Sequence, residues 1–185
     1  MTTRPRSATR PGARSPNRSE EALMAHKVHI YDLEKGFDEG GWMRPARTLE
    51  TTDPEEAVRL ARAELDRTGS ISAATVRPDW RLCPDLRTYF RLTNVVADWL
   101  DENPIEGAWI GRLVEDPAHW DGYGVRSPEE LEKHLLLSDY SDLYKELTGV
   151  RPRHSGLSMA SSIEEIEAAY DRLRDLPADD GPEPP

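Results

Sequence analysis

Asp53-Pro54-Glu55-Glu56-Ala57-Val58-Arg59-Leu60-Ala61-Arg62-Ala63-Glu64-Leu65-Asp66-Arg67-Thr68-Gly69 is a helix with both ends written into it. Asp53 suits the N-cap, Pro54 the first helical position, and Glu56 is placed to complete a capping box. Val58, Ala61 and Leu65 give a buried stripe at helical spacing, and Gly69 supplies the stop. Downstream, Ile71 to Val76 is rich in strand formers and ends before Pro78. Upstream, His26 to Leu33 alternates, with Val28 and Ile30 on one face and His29 and Tyr31 on the other. Between them, Lys35 to Gly41 reads as a turn, and Trp42 to Thr51 as a weaker strand interrupted by Pro45, so the two strands form a hairpin. The expected order is strand, strand, helix, strand.

The remainder reads as mainly helical, which makes the fold class α+β. A second helix begins at Asp85, buries Leu86, Phe90, Val96, Trp99 and Leu100, and ends at Asn103-Pro104. Residues 105–125 are rich in Gly and Trp and are expected to hold one short strand and a structured loop. Ser127-Pro128-Glu129-Glu130 opens a third helix with the same cap grammar as Asp53. It runs into a stretch where Leu136, Tyr140, Leu143, Tyr144 and Leu147 form one apolar stripe facing a core. Gly149 ends it, and Arg151, Arg153 and His154 are presented at the exit. Ser161 or Ser162 caps a fourth helix whose Ile163, Ile166, Tyr170 and Leu173 share a face.

The 185 residues divide on this reading into a disordered basic arm (1–24), the strand-strand-helix-strand unit (25–83), a helical unit packed on it (84–176) and a disordered acidic tail (177–185). The net charge is −11, but the first twenty-three residues hold five Arg and two Glu, which leaves −14 from Met24 onward. Met24 directly precedes the folded pattern, so the arm also reads as an extension ahead of an internal start. An acidic body repels phosphates and favours solubility or basic partners. Cys83 is the single cysteine, so an internal disulfide and a cysteine zinc cluster are excluded. No apolar run is long enough to cross a bilayer and no secretory signal precedes the fold, so a cytoplasmic location without membrane contact is expected.

The search for chemistry yields no catalytic residue, no metal site and no cofactor. His26 and His29 point to opposite faces of a strand, and Cys83 has no histidine near it in sequence. An enzyme is not expected. Five tryptophans against two phenylalanines is a skewed aromatic choice, and Trp42, Trp109 and Trp120 lie in Gly-rich loop contexts that suit interface anchors. With Tyr144, Lys145, Arg151 and Arg153 they form the candidate partner-binding set.

Ser141-Asp142-Leu143-Tyr144-Lys145-Glu146-Leu147-Thr148-Gly149-Val150-Arg151-Pro152-Arg153 resembles a motif of small uncharacterised proteins of phages and mobile elements. Tyr31 and Gly40-Gly41-Trp42, together with the opening element order and the acidity, are distantly similar to antirestriction proteins of the ArdA type. That resemblance implies an acidic DNA mimic that binds restriction–modification enzymes. The function expected is therefore non-enzymatic binding of a protein partner, a DNA-handling defence enzyme among them. The alternative is a nucleic-acid-associated accessory factor using the basic arm and the Arg-Pro-Arg turn.

Overall fold

The computed structural model describes residues 24–36, 43–153 and 155–174. Its class is α+β: a three-stranded antiparallel sheet followed by helices. Strands β1 (His26–Tyr31), β2 (Pro45–Thr51) and β3 (Ala74–Arg77) lie in the order β2-β1-β3. His29 sits between Thr48 and Thr75 in register, so the sequence hairpin is completed by β3 on the other edge. Pro45 is the first residue of an edge strand, where its missing N–H costs no ladder bond. The third strand is shorter than expected, because Ser70 to Ser72 are used in the turn that follows Gly69.

Helix α1 (Pro54–Thr68) packs on the face carrying Val28 and Ile30. Asp53 accepts from the Glu55 N–H at 3.0 Å, and Gly69 closes the last turn at φ 65°. The capping box does not close: the Glu56 carboxylate takes a bidentate bond from Arg59, and the Asp53 N–H donates to Thr51 Oγ1. The stripe is also rotated, with Ala57, Ala61 and Leu65 buried and Val58 partly so. The reciprocal box appears at the last helix, α6 (Ile163–Arg174), where Ser162 Oγ accepts from Glu165 N–H and the Glu165 carboxylate accepts from Ser162 N–H. Ser162 is thus the cap.

The expected second helix is broken in two, α2 (Leu86–Thr93) and α3 (Val95–Glu102), at Asn94. Residues 105–125 hold no strand; they contain an extended segment and a short helix α4 (Pro117–Asp121) capped by Asp116. The Asp116-Pro117 pair repeats the grammar of Asp53-Pro54, which is the local signal for that helix. One core joins both halves of the chain, from Val28, Ile30 and Leu65 through Phe90, Leu92 and Trp99 to Trp120, Val125 and Leu131.

Helix α5 (Pro128–Thr148) corrects the expectation most. Of its apolar residues only Leu131 is fully buried. Leu136, Tyr140, Leu143, Tyr144 and Leu147 are half-buried and lie outside the core cluster. Twenty-one residues make a rod about 31 Å long at 1.5 Å per residue. Its second half outruns the core, and the helix it meets there is α6, whose Ile163, Ile166 and Leu173 are buried.

One buried histidine ties the sheet to the segment after β3. His26 Nδ1 accepts from the Asp79 N–H at 3.0 Å, which leaves the ring proton on Nε2, a buried donor without a partner among the described residues. Burial holds its pKa below the ordinary value, against a smaller upward pull from Asp79 and Asp53. The folded ring is therefore neutral where the unfolded one charges. Stability from this group is full above the unfolded pKa of about 6.5 and is lost as pH falls from there through the folded value. Urea midpoints are expected to drop as pH falls from about 7 to about 5, and to drop less in His26→Asn. Equal slopes for the two proteins would remove His26 from this role.

Candidate functional site, a loop that presents Trp109

After α3 the chain turns at Gly107 (φ 76°), where the Ala108 N–H donates to Ile105 O. In the next residues Trp109 is exposed, while Ile110 and Leu113 pack against the core. Three anchors hold this loop. Asn94, buried at the α2–α3 break, accepts from the Leu113 N–H at 2.8 Å and donates Nδ2 to Leu113 O at 2.9 Å and Glu115 Oε1 at 3.0 Å. Arg112 reaches Asp98, Asp101 and Glu115 at 2.6 to 2.9 Å. Trp120 donates Nε1 to Val114 O at 2.6 Å. Exposed ion pairs are individually weak, but one guanidinium shared by three carboxylates spans α3 and the loop.

The Trp109 indole is 82% exposed on this anchored backbone. Beside it lies a shallow depression of about 430 Å³ whose apolar part is Leu100, Pro104, Ile105 and Ala108 and whose rim is Asp101 and Arg112. Ile105 is itself exposed. An apolar centre with a charged rim is the composition of a protein-binding patch.

Trp120 belongs elsewhere. It is only 7% exposed, stacks on Phe90 with ring centroids 6.2 Å apart, and is edged by His119 and His134. It belongs to the core. Both histidines are ring neighbours of Trp120. Among the described residues no three His, Cys, Asp or Glu side chains converge as metal ligands. Trp42 and His154 lie outside the described residues.

The Ser141 to Arg153 motif proves to be a helix-end clasp. Arg151 folds back onto α5, donating to Ser141 Oγ at 2.9 Å and pairing with Asp142 at 2.7 Å, while Gly149 turns the chain at φ 78°. The Tyr144 and Tyr140 rings lie tilted to one another with centroids 6.2 Å apart, and Lys145 and Arg153 are exposed. This end of α5 shares no lining residue with the Trp109 patch, so the candidate set divides over two surfaces.

Cys83 is buried, its thiol directed at Asp79 O, and burial with Asp79 and Asp85 nearby pushes its pKa up to about 12. Such a thiol is a poor nucleophile at neutral pH. Tyr89 donates to Glu132 across the α2–α5 contact, and burial raises the pKa of both groups.

No family model, curated protein or solved structure matches the chain. The site therefore rests on its own geometry. Asn94 and Arg112 are its supports, and both were invisible in sequence: the partners of Asn94 lie 19 and 21 residues away. Asn94→Ala is expected to cost about 2–3 kcal/mol, because it strips two backbone groups of partners in a part-buried setting. Urea unfolding and faster exchange of the Leu113 amide check it.

Proposed function

We propose that this is a non-enzymatic acidic protein, of mobile-element type, that binds a protein partner through the face centred on Trp109. The observation that carries the reading is a fully presented indole on a backbone held by Asn94 and Arg112. Water contact with so large an apolar ring is unfavourable by about 25 cal/mol per Å², and association recovers that free energy. A loop already ordered loses little further entropy on docking.

Inhibition of a DNA-handling defence enzyme by imitation of DNA is the specific activity within this reading. It draws support from the charge of −14 beyond the first twenty-three residues and from Asp139, Asp142 and Glu146 along one side of α5. The nucleic-acid alternative draws less, since Arg151 is already engaged by Asp142 and Ser141. No described helix is long and apolar enough to cross a membrane.

The test is capture from a lysate of the source cells on the immobilised full chain, with and without nuclease, beside Trp109→Ala. Nuclease-resistant recovery of a protein that the variant loses supports the reading. Recovery abolished by nuclease and indifferent to Trp109 would transfer the function to nucleic acid.

A further inference from the structure

A second surface, separate from the Trp109 face, runs along the seam of α5 and α6. Three depressions join end to end there, sharing Arg77, Glu132 and Glu167 at the first junction and Asp139, Tyr170 and Arg174 at the second. The floor is apolar: Ile163, Leu135 and Leu136, then Leu143 and Leu147 with Tyr170. Apart from the buried Ile163, these residues are half-covered. The walls carry eight carboxylates against four basic side chains, Lys27, Arg77, Arg81 and Arg174. The basic groups are densest at the near end, with Asp79, Glu132, Glu164 and Glu167 among them. At the far end Asp139, Asp142, Glu146 and Asp171 prevail.

The near end is also where the N-terminal residues join the fold, because Ala25 is part of its lining. The twenty-three residues before Met24 have a matching order of charge. Glu20 and Glu21 come closest to the fold, followed outward by Arg18, Arg14, Arg10, Arg6 and Arg4. From Met24 the chain reaches about 20 Å by Arg18 and about 33 Å by Arg14 when extended at 3.3 Å per residue. The seam from Glu132 to Glu146 is about 21 Å at 1.5 Å per helical residue. Laid along it, the arm sets its arginines against Asp139, Asp171 and Glu146, and its two glutamates at the end where Lys27 stands beside Arg77 and Arg81, which are themselves paired with Glu167 and Asp79.

We infer that the α5–α6 seam is the docking groove for the chain's own N-terminal arm, residues 1–23. Tethering supplies an effective concentration in the millimolar range, so a handful of screened ion pairs and modest apolar contact suffice. Docking in this way covers the apolar stripe of α5 and neutralises the carboxylates beside it.

The test is limited trypsin digestion of the full chain at low salt, with cleavage after Arg6, Arg14 and Arg18 followed by mass spectrometry. In Asp139→Asn/Glu146→Gln/Asp171→Asn, three exposed positions, cleavage in the arm is expected to accelerate about tenfold, as it should for wild type at high salt. A control set of exposed changes away from the seam, Glu34→Gln/Glu50→Gln/Glu106→Gln, is expected to cut at the wild-type rate. Equal rates in wild type and the seam variant overturn the inference. So does acceleration in both variants, which marks a general charge effect, and so does protection that fades on dilution, which assigns the groove to a second copy's arm. Thermal melts confirm that each variant is folded. None of these readouts involves Trp109, so this inference and the partner-binding reading fail separately.

Discussion

Trp120→Ala is expected to lower the stability of this protein by about 3–5 kcal/mol, the range for removing a buried aromatic ring. The ring stacks on Phe90 and sits in the cluster that includes Val125 and Leu131, at the point where the loop after α3 returns to the core. Its Nε1–H also satisfies Val114 O, so truncation leaves a cavity and a carbonyl without its donor. A domain of this kind has about 5–15 kcal/mol in total, so the variant loses a large share of its stability. Trp120→Phe keeps much of the ring volume and isolates the hydrogen bond, at about 1–2 kcal/mol. Urea unfolding followed by circular dichroism measures both. A loss below about 1 kcal/mol for the alanine variant would mean that the ring is not in the core.

Trp109→Ala should give the reverse pattern. Stability is expected to stay within about 0.5 kcal/mol, since an exposed side chain has little folded-state contact to lose. Affinity for the captured partner is expected to fall by about 2–4 kcal/mol, or roughly 30- to 1,000-fold, as for a central aromatic anchor. Calorimetric titration of both proteins reads the difference, with unfolding curves as the control. Unchanged affinity would sink the Trp109 face as the binding surface. Both tryptophans read as loop residues in sequence, but Trp109 stays in a loop while Trp120 lies on α4, and one is expected to govern recognition and the other folding.

The acidity of the chain also divides once seen in three dimensions. On the α1 and α3 side, carboxylates are taken up by arginines: Glu56 by Arg59, Glu102 by Arg62, and Asp98 and Asp101 by Arg112. Along the α5–α6 seam they prevail over the basic groups. A basic ligand therefore meets one preferred side of the molecule.

Local chemistry made much of the architecture legible. The α+β class, the strand-strand-helix-strand opening and the caps at Asp53, Asp85, Ser127 and Ser162 depend on residues within a few positions of each other. Periodicity and capping act over one or two turns, so the sequence by itself determined where elements start and which faces are apolar. What covers those faces was decided only by the tertiary structure. The α5 stripe has the same spacing whether it meets a core or runs past one, and helical period carries no information on length of the neighbour. The break at Asn94, the hub at Arg112, and the opposite fates of Trp109 and Trp120 likewise follow from partners distant in the chain. An indole is buried or presented according to which backbone returns beside it, and that is a property of packing.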